Sequence, residues 1–492
     1  MELDQLSNSR RKSNNTIQYR IQFILVCVLT VVLIAIGCFY RLWLFGVPIE
    51  LSGDAANRYH PLAVNLSQGN GFSLDTEPPF KPNIFDVPGY PGLLAGMYLL
   101  GFHSFRELYC VHLLMEVISI VLVSLTAFRL SGSRFLSLMT AMIATICPFV
   151  ASIGHNAMAE PLAMMLTSLL IFMLSGILRE TEPHLIRWLL PGVISGLLIL
   201  VRVDSYPLVA LLVVIVVWSV YLKNAEYRSY RRATIAVCFF FVSVMVTLIP
   251  WMIRNYSITK QFHIPGQQQY LGSHFQNGYR RWLSTWMFDS KYVHDWTWHA
   301  SGTPDPNDLP WYAIDSTEER LQIEYALNLI SKSQVTKQHV LLGDPIGDNS
   351  KASSIFSEIA CKRTETNPFR SYVVMPILRV VLTWIRIPSV TCFPSYQTYL
   401  WKLLIYLVWI GMLILTIIGV RYYRKCLPGT FLLLFSLILS RTLIPLSSAG
   451  GIEPRYLLPA LASVWIFSAM GVCVLLKRMT GLFPNSDTLK VE

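Results

Sequence analysis

The chain has 492 residues, of which 53% are hydrophobic and 14% are charged, and it carries a formal net charge of +11. About 25% of the residues of an average soluble domain are charged, so the composition excludes an ordinary soluble protein. Continuous apolar runs close to the roughly 20 residues that cross a bilayer recur along the chain, and they favour membrane helices over an alternating transmembrane barrel. The sequence therefore predicts an all-α polytopic membrane protein.

Ten apolar runs are candidate membrane spans, and they lie at about 22–42, 108–130, 134–151, 161–178, 188–203, 205–222, 233–252, 399–420, 430–446 and 457–476. The first run follows a polar, basic stretch and lacks a clear cleavage site, which is typical of an uncleaved first helix. Lys and Arg collect in the cytoplasmic connections of membrane proteins. Here every second connection is basic, whereas the short connection 151–160 contains neither residue.

This alternation predicts that both termini are cytoplasmic. It also accounts for the net charge without nucleic-acid binding, because the basic residues form no coherent face. The remaining connections are then extracytoplasmic: the first external loop 43–107, the short loops 151–160 and 202–206, the long region 253–398 and the turn 447–456.

Two further apolar segments, 88–103 and 371–390, are predicted to be helices lying at the outer membrane surface. The alternative is that both cross the membrane. The chain then divides into an N-terminal transmembrane module 1–252, an external Trp-rich region 253–398, and C-terminal helices with a cytoplasmic tail 399–492.

The external region is too long for a simple linker and is either a small subdomain or a lid. The simplest explanation of its tryptophans is anchoring at the membrane interface. Cys361 and Cys392 are predicted to form a disulfide if this region faces an oxidising compartment.

Carboxylates and arginines gather at the predicted outer ends of several helices. Asp54 opens the first external loop, and the later segments contribute His155, Glu160, Arg202, Asp204, Arg254 and Arg455. A guanidinium recognises phosphate with a planar fork of donors, and a carboxylate acts as a general base or a cation ligand. A transferase acting on a lipid phosphate needs this arrangement. Charged groups that only meet lipid headgroups, or a transporter, explain the same residues.

Six segments carry a family resemblance: GDAANRY with NLSQGNGFS, DVPGYPGLLAGMYLLGF, HNAMAEPLAMML, GLLILVRVDSYPL, IPWMIRNYSITKQFHIP and EPRYLLPAL. Their order, from about residue 20 to residue 478, resembles GT-C glycosyltransferases of the protein-mannosyltransferase and aminoarabinose-transferase kind. The chain departs from that pattern in places. Ala55 follows Asp54 where the family often has a second acidic residue, Glu160 replaces an Asp of some relatives, and Val203 and Asp204 stand in an Arg-Pro-Glu turn.

The resemblance implies an inverting enzyme that moves a hexosyl or pentosyl group from a polyprenyl-phosphate donor to an extracytoplasmic lipid, glycan or protein acceptor. It makes 1–252 the catalytic module and Asp54, Glu160 and Asp86 the catalytic residues. Asp54 and Glu160 are also candidate ligands of Mg²⁺ or Mn²⁺. The implied substrate-binding residues are Arg58, Tyr59, His155, Arg202, Asp204, Arg254, Arg455 and Tyr456.

The lipid bilayer is an expected partner and nucleic acid is not, and the bacterial inner membrane is favoured over the endoplasmic reticulum. A lipid-linked sugar transporter or flippase, and a non-catalytic membrane scaffold, remain the alternatives. A transporter would need polar groups through the membrane depth and on both faces, whereas here the polar candidates cluster outside.

Overall fold

A computed structural model describes residues 54–147, 158–223, 229–266, 274–297, 305–332, 347–386, 397–424 and 428–480, with a few positions between 24 and 39. Every regular element of these residues is helical. The α-helices are α1 His60–Ser67, α2 Gly89–Leu99, α3 Phe105–Ser131, α4 Arg134–Ile146, α5 Glu160–Ile177, α6 Leu189–Val201, α7 Tyr206–Val217, α8 Tyr230–Thr259, α9 His274–Trp286, α10 Thr317–Lys332, α11 Gly347–Thr366, α12 Met375–Ile385, α13 Gln397–Tyr423, α14 Pro428–Ser447 and α15 Leu461–Thr480.

Seven helical segments of the described residues are long and apolar enough to cross a membrane, and a bent pair brings the number to eight. They are Phe105–Ser131, Glu160–Ile177, Val203–Leu222, Tyr230–Thr259, Leu403–Tyr423, Pro428–Ser447 and Pro454–Arg478. The predicted all-α polytopic membrane protein is therefore confirmed.

The predicted number of ten spans is not confirmed. The run 134–151 contains only the 13 residues of α4, and 188–203 corresponds to an apolar helix over Leu185–Val201. The run 22–42 lies mostly outside the described residues. The chain leaves α6 at Arg202, whose φ of −147° and ψ of 111° are those of an extended residue. Apolar composition continues past such helix ends, which is why counting apolar residues overestimates helix length.

Local sequence sets several helix ends. Ser104 accepts a hydrogen bond from the backbone of Glu107, whose side chain accepts one from the Ser104 backbone. This capping box starts α3 by satisfying two backbone N–H groups. Gly132 ends the same helix in the left-handed region, at φ 67°, where the absence of a Cβ removes the steric cost.

The membrane helices pack closely where small residues face each other. A Cβ on Gly419 would lie 2.1 Å from the carbonyl oxygen of Phe467, and a Cβ on Gly471 would lie 2.2 Å from that of Leu415. Helices α13 and α15 therefore touch backbone to backbone at two positions. Without a hydrophobic force between helices in lipid, this close packing is a main source of their association.

The external region contains a hydrophobic cluster of its own. Trp282, Trp286 and Trp296 are fully buried in it, together with residues of α9, α10 and α11. These tryptophans are core residues rather than the membrane anchors of the simplest explanation, whereas Trp311 is 88% exposed. The cluster also takes in Ala449 and Ile452 from the turn that follows α14. The predicted disulfide stays a prediction, because Cys392 lies outside the described residues.

Two consecutive helical segments, Ser350–Thr366 and Arg370–Ile385, meet at an angle of 104° and together have the length and composition of a broken span or a re-entrant loop. The second covers most of the predicted surface segment 371–390. The other predicted surface segment, 88–103, contains α2, which has 11 residues. An 11-residue α-helix is about 16 Å long at 1.5 Å per residue, about half the hydrocarbon thickness, so α2 alone is too short to span.

Candidate functional site

A cavity of about 1390 Å³ is lined by the outer loops of the membrane helices on one side and by the external region on the other. The first set of lining residues, here called the ionic wall, is Asp54, Arg58, Asp86, Glu160, Arg202, Asp204 and Arg455. The second set, here called the external wall, is Arg280, Arg281, Ser357, Cys361, Tyr372 and Arg379. Sites for single small ligands usually measure about 300–1,000 Å³, so this cavity has room for two substrates.

Asp54 precedes a short π-helical segment, Ala55–Tyr59, and is held between two arginines. Its Oδ2 lies 3.1 Å from Nη1 of Arg455, and its Oδ1 lies 3.5 Å from Nη1 of Arg58. Burial raises the pKa of Asp54, but the attraction of Arg455 and Arg58 outweighs burial, and the pKa lies below its ordinary value. The carboxyl group is therefore ionised at neutral pH and presents a negative charge to the cavity.

Asp86 lies behind Arg58. The Nη2 of Arg58 donates to Oδ1 of Asp86, and the side-chain amide of Asn83 donates to Oδ2 over 3.1 Å. The first loop can sit this close to the end of α6 because residue 89 is glycine: a Cβ there would lie 2.6 Å from the carbonyl oxygen of Leu200. Asp86 is buried, and its contacts show that it orients Arg58.

Glu160 is the first residue of α5, and only 1% of its surface is exposed. Its Oε1 lies 2.5 Å from Nη1 of Arg202. Its Oε2 has no hydrogen-bond partner among the described residues, although the residue lines the cavity. A buried carboxylate oxygen without a donor is costly, so this oxygen is a natural acceptor for a hydroxyl group of a bound molecule.

Arg202 and Asp204 form a fork-to-carboxylate pair, with 3.2 Å from Nε to Oδ1 and 2.8 Å from Nη2 to Oδ2. Asp204 also contacts Arg441, whose Nη1 lies 3.1 Å from Oδ1. Arg441 is completely buried in α14 and donates to the Ser205 hydroxyl. The ion pairs therefore continue from Glu160 through Arg202 and Asp204 into the membrane helices.

Arg441 was not among the predicted site residues. It lies inside the apolar run 430–446, which was interpreted only as a span. A signal was present, since ionisable residues within membrane helices are rare and mark functional or paired positions.

Two aromatic rings border the ionic wall. The Arg202 guanidinium lies 5.1 Å from the ring centre of Tyr456, and that of Arg455 lies 5.6 Å from it. Such cation–π contacts hold both planar groups in place. Tyr59 lines the same cavity, and burial raises the pKa of its hydroxyl, so the phenol stays protonated and can donate.

The structure brings nine predicted site residues to this one cavity: Asp54, Arg58, Tyr59, Asp86, Glu160, Arg202, Asp204, Arg455 and Tyr456. Arg254 is not among the lining residues. Its Nη1 donates to the carbonyl oxygen of Asn83 over 2.6 Å, and its guanidinium lies 4.7 Å from the Trp251 ring centre. Arg254 thus ties the first external loop to α8. His155 lies outside the described residues.

The predicted cation ligands do not form a metal centre in this arrangement. The described residues contain no group of three or more His, Cys, Asp or Glu placed to hold an ion. Both oxygens of Asp54 face guanidinium groups, and Glu160 is paired through Oε1 with Arg202. A divalent cation would have to displace these arginines, so the residues present do not fit Mg²⁺ or Mn²⁺, and no step is assigned to a metal.

Comparison with protein-family models gives no match, and comparison with curated proteins gives none either. Among solved structures, the chain is similar to the archaeal oligosaccharyltransferase AglB from Archaeoglobus fulgidus, in complex with an inhibitory peptide and a dolichol-phosphate. The TM-score is 0.49 and the identity 11%, over 94% of this chain and 51% of that one. A structure of the Archaeoglobus fulgidus enzyme with zinc and sulfate gives 0.46 and 13%, over 93% and 49%.

The chain is also similar to ArnT from Cupriavidus metallidurans bound to undecaprenyl phosphate, with a TM-score of 0.38 and 14% identity, over 92% of this chain and 79% of that one. It spans about half the length of the archaeal oligosaccharyltransferase. AglB and ArnT are GT-C glycosyltransferases, the superfamily that the sequence motifs resemble. Because all three TM-scores lie below 0.5, the function proposed next rests on the site geometry.

Proposed function

We propose that this protein is a membrane glycosyltransferase that moves a sugar from a polyprenyl-phosphate-linked donor to an acceptor on the extracytoplasmic face. The observation that carries the proposal is the position of Asp54. An ionised carboxylate lies on a cavity large enough for two substrates, between arginines suited to phosphate. The ordered motifs that resemble GT-C enzymes support the same reading.

In this reaction Asp54 takes the proton of the acceptor hydroxyl. The acceptor oxygen forms a bond to the anomeric carbon of the sugar while the bond from that carbon to the donor phosphate breaks. The bonding electrons leave with the phosphate, so the products are the glycosylated acceptor and a polyprenyl phosphate. A single displacement of this kind inverts the configuration of the anomeric carbon. General-base help of this type contributes about 10²- to 10⁴-fold to a rate.

The arginines of the ionic wall balance the charge that develops on the leaving phosphate. Arg455 and Arg202 line the cavity and are held by carboxylates and by Tyr456. Preorganised cations cost no reorganisation during the reaction, which is why such groups stabilise transition states well. We assign no phosphate contact to Arg254, since its guanidinium is used by the loop carbonyls and by the Trp251 ring.

Glu160 is assigned to sugar binding. Its buried Oε2 accepts a hydrogen bond from a sugar hydroxyl, which gives this oxygen the partner that it lacks among the described residues. Its Oε1 meanwhile orients Arg202. Asp86 acts indirectly, by holding Arg58 next to Asp54.

The test is sugar transfer by the purified protein in nanodiscs, supplied with polyprenyl-phosphate sugars and a cell-envelope extract as acceptor. Mass spectrometry should find a glycosylated product together with free polyprenyl phosphate in equal amounts. The transporter alternative makes the opposite forecast: in sealed vesicles, the donor lipid changes leaflet and no sugar is released from it. That result would exclude the proposed reaction.

A further inference from the structure

The two walls of the cavity differ in charge. The ionic wall carries four carboxylates together with three arginines, and each of these carboxylates is paired with an arginine. The external wall carries Arg280, Arg281 and Arg379, and none of the lining residues on that side is Asp or Glu. Positive charge on the external side of the cavity is thus not neutralised by the residues that line it.

Arg281 lies on α9 and is exposed. Its one hydrogen bond among the described residues is a long one, 3.5 Å from Nη1 to the hydroxyl oxygen of Ser357 on α11. A guanidinium carries five N–H donors in a planar fork. Most of the donors of Arg281 therefore remain available to a molecule in the cavity.

Arg379 adds a second charge from below. It is 3% exposed, and it donates to the carbonyl oxygens of Pro445 and Ser284 over 2.9 Å each, and to that of Leu446 over 3.4 Å. Two of these carbonyls belong to the last turn of α14, so Arg379 also caps that helix. Its partners in the described residues are neutral carbonyls, and its positive charge remains to be balanced.

We infer that the external wall is a subsite for an anionic group of the acceptor, such as a phosphate monoester or a carboxylate, recognised by Arg281 with support from Arg379. The inference rests on the proposed function only in naming the ligand as the acceptor. The donor phosphate is assigned to the arginines of the ionic wall, whose charges its departure must meet. An anion on the external wall places the acceptor hydroxyl on the side of the cavity opposite Asp54's arginines, so the two phosphates do not compete.

The experiment is equilibrium binding to the full chain in phosphatidylcholine nanodiscs, which carry no net lipid charge. The probes are two soluble disaccharides that differ only by one phosphate monoester. The phosphorylated probe should bind at least about tenfold more tightly than the neutral one, as expected for the gain of a charge-assisted contact. Arg281→Gln should remove most of that difference and leave the neutral probe unaffected.

Arg320→Gln is the matched control. Arg320 lies on α10 of the same external region, forms an ion pair with Glu324 and does not line the cavity, so the variant removes the same charge elsewhere. Arg281 is preferred to Arg379 because Arg281 caps no helix and its loss should not unfold the chain. Equal binding of the two probes to the wild type, or an equal loss in both variants, would overturn the subsite.

A third arm separates the acceptor from the donor. Binding of a short-chain polyprenyl phosphate should be unchanged by Arg281→Gln. If that binding falls instead, the external wall holds the donor and the inference is wrong. None of these measurements requires turnover, so a chain that binds the phosphorylated probe but transfers no sugar would refute the proposed function and leave the subsite standing.

Discussion

The carboxylate of Asp54 and the guanidinium of Arg455 lie 3.1 Å apart, although 401 positions separate them in the chain. Arg58 contacts the other oxygen of the same carboxylate. As described, both oxygens of the proposed base face cations, which weakens it as a proton acceptor. A donor phosphate that attracts Arg455 would release one oxygen, so we expect the donor to bind before the acceptor is activated.

The substitution Asp54→Asn keeps size and polarity but removes the proton acceptor. We expect the rate of sugar transfer to fall by about 10²- to 10⁴-fold, while expression and donor binding change little. Glu77→Gln is the control, because Glu77 is an exposed carboxylate of the same loop. Unchanged transfer by Asp54→Asn would show that another group is the base.

The pH dependence of the reaction should respond to Arg455. Activity requires ionised Asp54, so it is lost as the pH falls through the pKa of that group. In the wild type Arg455 and Arg58 hold this pKa below its ordinary value, against the effect of burial. Arg455→Gln removes one of the two cations, so the pKa rises and the acidic limb of kcat/KM should move to higher pH. A limb that stays in place or moves to lower pH would contradict the assignment of Asp54.

Stability should depend on the Asp204 carboxylate more than on that of Glu160. Asp204 meets both Arg202 and Arg441, whereas Glu160 leaves Arg202 its second partner. Removing one partner of a buried ion pair costs about 3–5 kcal/mol, so Asp204→Asn should lower the thermal unfolding temperature further than Glu160→Gln does.

The double substitution Asp204→Asn with Arg441→Met tests the cause. It removes the buried cation that Asp204→Asn leaves unpaired, and an apolar side chain of similar length fills its place. The unfolding temperature should partly recover. A further fall in the double variant would show that Arg441 stabilises the protein through other contacts.

The tryptophans of the external region should divide into two kinds. Trp282 is fully buried in the external cluster, whereas Trp311 is 88% exposed. Truncation of a large buried aromatic residue costs about 3–5 kcal/mol, so Trp282→Ala should make the external region sensitive to limited proteolysis. Trp311→Ala should not. Equal sensitivity of the two variants would mean that the cluster does not stabilise the region.

Single cysteines test the topology. In a chain whose native cysteines have been replaced, an impermeant maleimide added from outside should label cysteines placed at Glu77 and Lys291. It should label those at Arg187 and Arg424 only after the membrane is opened. All four positions are exposed, so access is decided by the membrane side. Labelling of positions 77 and 424 from the same side would refute the predicted topology.

Sequence patterns were informative where one physical rule acts alone. Hydropathy identified the long apolar helices, and the alternation of basic connections placed Asp54, Glu160, Arg202 and Arg455 in segments that the structure brings to one cavity. Helix ends were less accessible, because α6 ends at an extended Arg202 while the apolar composition continues.

The partners of polar residues were the least accessible feature. Arg441 was hidden in an apolar run although it pairs with Asp204. Arg254 has the same chemistry as Arg455, and only its contacts with the Asn83 carbonyl and the Trp251 ring show that it fastens a loop. A residue type states what a side chain can bind, and the packing around it decides which partner it meets.

The hydrophobic cluster of the external region includes Ala449 and Ile452, which lie beyond α13 and α14 in the chain. A ribosome makes the tryptophans of that cluster well before these two residues, so the region cannot complete its core until two more helices have been synthesised. Arg455 follows directly after. The proposed base therefore gains its partner only at the last stage of biogenesis, and a nascent chain that stalls before residue 449 holds an incomplete cluster and an incomplete site.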